Sequence, residues 1–169
     1  GTTQVAEWAD QNGLAKFVVL NGVDKEHVDF DSAVAGAREL LGSGVTPLTV
    51  PVNAGPGFNQ VLDVLTKEVV TYETDGMGKC TAAAADGDLA DQAEELHAAL
   101  IEAVASADDA LMEKFFEEGT LSEEDLKAGL EAALLSGELI PAFATSATTN
   151  VGVSRLMDFT AKYGICLLY

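Results

Sequence analysis

Bases are scarce in this chain: nine Lys and Arg stand against 28 Asp and Glu in 169 residues, a formal net charge of −19. Binding to nucleic-acid backbones or anionic membranes needs a basic face. Nine bases spread along the chain do not supply one, which argues against broad nucleic-acid binding and direct membrane binding. Cysteine is nearly absent as well. Cys80 and Cys166 make neither a disulfide framework nor a metal cluster and read as free thiols. No apolar run approaches the length of a membrane span, and the start, GTTQVAEWAD, has no basic stretch leading into an apolar one. The expectation is a soluble, cytoplasmic protein. The 48% apolar content argues against an acidic disordered tail and is ample for a core.

Alanine is abundant, with 26 residues concentrated in the second half, where it favours helix over strand. The acids are unevenly placed too. Between Asp86 and Glu138 sixteen acids meet only Lys114 and Lys127, a net −14, whereas the rest of the chain nets −5. This boundary predicts an acidic helical unit set into an α/β body.

Along the chain, residues 4–11 read as a helix stopped by Asn12-Gly13, with Trp8 in a packing role. Phe17-Val-Val-Leu20 is an apolar run turning polar at Asn21, the pattern of a central parallel strand whose C-terminal end meets a site. Asp29 or Asp31 opens a helix that Gly42 closes. Residues 45–52 are extended, but Pro47 and Pro51 donate no ladder hydrogen bond, so this strand lies at an edge or is irregular. Gly55-Pro-Gly57 is a turn, and residues 61–73 read as a hairpin or short strands. From Asp88 to Phe116 the periodicity predicts one helix, with Asp86 and Asp88 supplying its N-cap and a favourable charge for its dipole and Gly119 at its end. Ser122 to Asp125 resembles a capping box opening a helix that Gly137 closes. Ile140-Pro-Ala-Phe-Ala is a second short strand, and a last helix runs from about Val153 to Tyr163.

Two strand ends carry candidate chemistry: Asn21-Gly-Val-Asp24 and Thr145-Ser-Ala-Thr148. An Asp carboxylate accepts from guanine N1–H and the exocyclic amine together, a backbone N–H at Ala147 donates to O6, and the Asn side chain ties the two loops. A wrong base leaves buried polar groups unpaired, so such a site discriminates strongly. His27 and His97 lie far apart, with no carboxylate or cysteine at metal spacing, and are not read as ligands.

These residues resemble the translational GTPases, specifically elongation factor G or a close paralogue. Asn21-Gly-Val-Asp24 is similar to the family's Asn-Lys-x-Asp motif, and Thr145-Ser-Ala-Thr-Thr-Asn-Val-Gly-Val153 to its second base loop. Between them, Pro47-Leu-Thr-Val-Pro-Val, Gly57 to Leu65 and Leu111-Met-Glu-Lys-Phe115 resemble the inserted sub-domain of that family. The resemblance implies an α/β fold: a partial P-loop GTPase, a parallel sheet with flanking helices, carrying an inserted α+β sub-domain. It places residues 1–42 in the GTPase domain with the first base loop, 43–137 in the acidic insert, and 138–169 at the end of the domain with the second base loop.

The function so implied is the guanine-recognition half, with insert, of a GTP-binding elongation factor of the ribosomal translocation type. The alternative is a protein-interaction module of a paralogue whose nucleotide binding is weak or lost. Asn21, Asp24, Ser146, Ala147 and Thr148 would bind guanine, while Glu94, Glu95, Glu102 and Asp109, by position on the long helix, would meet the ribosomal stalk protein. The ribosome would be the partner of the longer parent. GTP or GDP would bind in that parent, with Mg²⁺ held only beside a phosphate loop. The chain has no G-x-x-x-x-G-K-[ST] and no switch regions, so it is expected to be an inactive fragment with no cofactor of its own and no catalytic or metal residues. Gly22 stands where the family has Lys, whose stem packs over the base. Its loss is expected to weaken nucleotide binding without changing base choice, and Lys restored there to tighten it.

Overall fold

The computed structural model describes residues 1–73 and 75–163. In chain order the first half holds α1 (Thr2–Gln11), β1 (Val18–Asn21), α2 (Phe30–Leu41), β2 (Val45–Pro47), β3 (Thr49–Pro51), β4 (Gln60–Asp63), β5 (Glu68–Tyr72) and β6 (Cys80–Ala84). The second half holds α3 (Asp88–Ala105), α4 (Asp109–Glu118), α5 (Glu123–Ser136), β7 (Ile140–Thr145) and α6 (Val153–Tyr163). The strands make two sheets, a parallel one in the order β1-β7-β2 and an antiparallel meander in the order β3-β4-β5-β6. The fold is mixed α/β, with the second sheet and three helices inserted between β2 and β7.

Local chemistry explains several helix boundaries. The Asp29 carboxylate accepts from the Ser32 amide at 3.0 Å and opens α2, and Gly42 closes it. Ser122 Oγ accepts from the Asp125 amide at 3.1 Å while donating to the Asp125 carboxylate at 2.8 Å, which opens α5. Gly119 and Gly137 close α4 and α5 in the left-handed conformation.

The two prolines mark a change of sheet. Pro47 ends β2, paired with Ala142 at one edge of the parallel sheet, and Pro51 ends β3, paired with Val61 at the edge of the meander. Leu48 between them is buried and donates its amide to the Ala142 carbonyl at 2.8 Å. Edge positions are where a strand tolerates a residue without an N–H. Val45–Pro47 therefore belong to the parallel sheet, although the sequence reading assigned 43–137 to the insert.

Four expectations are corrected. The central parallel strand is β7, buried at all six residues, whereas β1 pairs only with β7 among the described residues and leaves Val19 45% exposed. The helix expected from Asp88 to Phe116 is two helices. Asp108 breaks it, its carboxylate accepting from the Ala110 amide at 2.8 Å and thereby starting α4. Gly87, with no side-chain cap, precedes α3, so Asp86 and Asp88 do not cap it, though Asp88 lies in its first turn. Trp8 is 63% exposed because α1 buries none of its residues.

The core lies on both sides of β7. One cluster joins Leu48, Val64 and Phe143 to Leu100, Val104, Leu130, Leu134 and Phe159 of the helices. Its aromatic centre is Phe143, with ring centroids 5.4 Å from Phe159 and 6.4 Å from Phe17. A second cluster packs Val23, Phe30, Phe58, Val61, Val70 and Tyr72 against Ala144 and Val151. That cluster lies directly beneath the two strand ends singled out by the sequence.

Candidate functional site

Parallel pairing of β1 with β7 sets Asn21 opposite Thr145, so the two loops leave the sheet side by side. The Gly22 and Val23 amides both donate to the Thr145 carbonyl, at 2.9 and 3.2 Å. Asn21 Oδ1 accepts from the Ala147 amide at 2.9 Å, and Thr145 Oγ1 lies 3.5 Å from the same oxygen. Asn21 thus ties the loops together. The Ala147 N–H, which the sequence reading aimed at a ligand oxygen, is already engaged by Asn21. A ring carbonyl would have to share or displace that bond.

The second loop is held from below. Ser146 is fully buried, and its amide and carbonyl bond the carbonyl and amide of Val151 at 2.9 and 3.1 Å. Ser146 Oγ accepts from the Thr149 amide at 3.3 Å. Gly152 has φ +76°, and a Cβ there would lie 2.2 Å from the Ala144 carbonyl oxygen, so no side chain fits without moving the strand. Ala147 and Thr148 are exposed at the tip, whereas Ser146 acts through the backbone and its capping hydroxyl.

Asp24 supplies the unusual feature. Its Oδ1 is buried and has no hydrogen-bond partner among the described residues. A buried carboxylate oxygen without a donor costs free energy. Around it, Val23 anchors the first loop in the core, 2% exposed.

The inserted sheet touches both loops. Gly55, in the turn after β3, donates its amide to the Val23 carbonyl at 2.8 Å. Asn150, at φ +58°, reaches the Gly76 carbonyl with Nδ2 at 3.4 Å. Further away, α6 is fastened to the same sheet. Tyr72 Oη lies 2.8 Å from Ser154 Oγ, and Arg155 lies 3.6 Å from Asp63 and 3.8 Å from Glu68. Burial holds the Asp63 carboxyl above its ordinary value, against the opposing pull of the Thr66 amide, Arg155 and the Leu65 amide. These contacts went unread in the sequence, where Gly55-Pro-Gly57 signalled a turn and Asp75-Gly76 the end of a hairpin.

Of the acids proposed as a docking face, Glu94, Glu95 and Glu102 are exposed on α3, whereas Asp109 sits on α4 beyond the break. Glu94 is committed within the chain: its Oε1 lies 2.8 Å from Lys67 Nζ, and the hydrogen bond and charge of Lys67 hold its carboxyl low. Among the described residues, no three His, Cys, Asp or Glu converge as metal ligands. His27 is exposed and His97 Nδ1 lies 2.9 Å from the Val64 carbonyl oxygen. Cys80 is exposed, and Cys166 lies outside the described residues. No helix among the described residues is long and apolar enough to cross a membrane.

The fold defines a class, an α/β domain carrying an inserted α+β unit, with two loops paired at the C-terminal ends of adjacent parallel strands. No family model matches the chain. It is similar to a crystal structure of a protein from Thermus thermophilus, with a TM-score of 0.82 and 22% identity over 95% of this chain. The match covers 24% of the Thermus chain, so the present chain spans about a quarter of that protein's length. A likeness at that identity establishes the fold alone.

Proposed function

We propose that this chain is the guanine-recognition half, with its inserted sub-domain, of a GTP-binding translation elongation factor of the translocation type. The observation that carries the reading is the buried Asp24 Oδ1, without a partner among the described residues, in one of two loops that Asn21 joins through the Ala147 amide. Asp24 would accept from the two adjacent N–H groups of guanine. The exposed Ala147 and Thr148 backbone would face O6, and Ser146 would hold that loop in shape. Phosphates and Mg²⁺ would be held by a phosphate loop and switches elsewhere in a longer protein, which makes GTP hydrolysis a property of that protein, working with the ribosome in the cytoplasm.

The test is Asp24→Asn in the longer protein. GDP affinity should fall about ten- to hundredfold, the worth of roughly 1.5–3 kcal/mol for hydrogen bonds to a charged group. Xanthosine diphosphate should gain, because an amide donates where the carboxylate only accepted. Equal loss of both nucleotides, read by equilibrium titration, would make Asp24 structural.

A second reading is a protein-interaction module that docks the ribosomal stalk, in a paralogue with weak or lost nucleotide binding. Its support is the exposure of Glu95 and Glu102 on α3 within a segment of net −14. An intact phosphate loop elsewhere in the parent would favour the first reading, and a damaged one the second.

A further inference from the structure

We infer that Lys25 forms the wall against which a flat ring lies in this site, taking the place that Gly22 leaves open. The inference rests on the guanine reading above. Asp24 can read only the edge of a planar ring; its face needs apolar cover to shed water. In the two loops that cover is scarce. Val23 is turned into the core and Ser146 is fully buried, while Asn21 is spent on Ala147. Ala147, Thr148 and Thr149 are short. Lys25, which is exposed, has the one long aliphatic stem in the two loops.

That stem is folded back. A Cβ built on Gly22 would lie 3.3 Å from Lys25 Cε, 3.5 Å from Cδ and 3.7 Å from Nζ, so the stem fills the space a side chain at position 22 would enter. The backbone brings it there: the Lys25 amide donates to the Gly22 carbonyl at 3.1 Å, closing a four-residue turn whose last residue stands over its first. The turn is braced from the insert through the Gly55 amide on Val23. Gly22 itself has φ +91°, a conformation in which any side chain is strained. The arrangement therefore works with glycine at 22 and lysine at 25. Lysine at 22 would meet both the strain and the Lys25 stem, so the expected tightening on restoring it does not follow from this geometry.

The experiment is GDP titration of the full-length protein as wild type, Lys25→Ala, Lys25→Met and Gly22→Lys. Residue 25 is exposed, so its variants leave the core intact. Lys25→Ala should weaken GDP about tenfold, the scale of losing two buried methylenes. Lys25→Met, which keeps an aliphatic stem, should stay within about twofold of wild type. Gly22→Lys should weaken binding. Because a wall is blind to the ring's edge, Lys25→Ala should weaken xanthosine diphosphate by the same factor in an Asp24→Asn background. Unchanged GDP affinity in Lys25→Ala overturns this inference alone, as does tighter binding in Gly22→Lys. Absence of GDP binding by the wild-type protein overturns the guanine reading and this inference with it.

Discussion

β7 and β6 are both rich in small residues, yet they share almost nothing else. Ile140–Thr145 is buried at every position and Cys80–Ala84 is exposed at every position. β7 lies between two parallel neighbours, with Phe143 facing the helical cluster and Ile140 and Ala142 facing the cluster of Val45. β6 ends a meander and holds its place by five residue pairs with β5. The same alanine is thus core filling in one strand and bare backbone pairing in the other. A loop built on β7 inherits a rigid base, and the candidate site sits at that end of the molecule.

The contrast can be tested by substitution. The largest effect is expected from Phe143→Ala, which empties the centre of the aromatic cluster. It should cost about 3–5 kcal/mol, read as a shift in urea midpoint. A loss near 1 kcal/mol would mean that β7 is less central than its burial indicates.

A smaller and pH-dependent effect is expected where α6 is fastened to the inserted sheet. The raised carboxyl of Asp63 means that the folded state favours its neutral form. Its contribution is then most favourable in acid and declines as pH rises from about 4, its ordinary value, through the raised one. Asp63→Asn keeps an acceptor for the Leu65 and Thr66 amides but does not titrate. The urea midpoint of wild type should fall relative to that of Asp63→Asn across this window. Parallel curves would show that Arg155 compensates fully.

The smallest effect belongs to β6. Ala82→Val exchanges a poor strand former for a good one on an exposed edge, and should stabilise by no more than about 0.5 kcal/mol. A destabilisation above 1 kcal/mol, seen in the same titration, would show that this edge is packed rather than free.

Much of the candidate site was legible because its signals are local. Asn21, Asp24 and the Ser146-Ala147 loop stand out as polar residues directly after short apolar strands. Gly42, Gly119, Gly137, Asp29 and Ser122 announce helix ends through capping chemistry that acts over a few residues. The break at Asp108 was missed because the apolar spacing continues across it, while a single carboxylate restarts the helix. β6 was missed because alanine, a helix former by propensity, is held in a strand by pairing with a distant partner. The Lys25 stem over Gly22 escaped for a similar reason: a motif records which residues are present, not where a side chain folds back.

By itself the sequence determined the α/β character, the acidic insert and the two polar strand ends, since periodicity, charge and capping are properties of neighbouring residues. Only the tertiary structure decided that β7 is central, that Pro47 and Pro51 fall on different sheets, and that one carboxylate oxygen of Asp24 is left buried without a donor among the described residues. Each of these depends on which distant segments pair and what they shield from water, and that is set by packing across the whole chain.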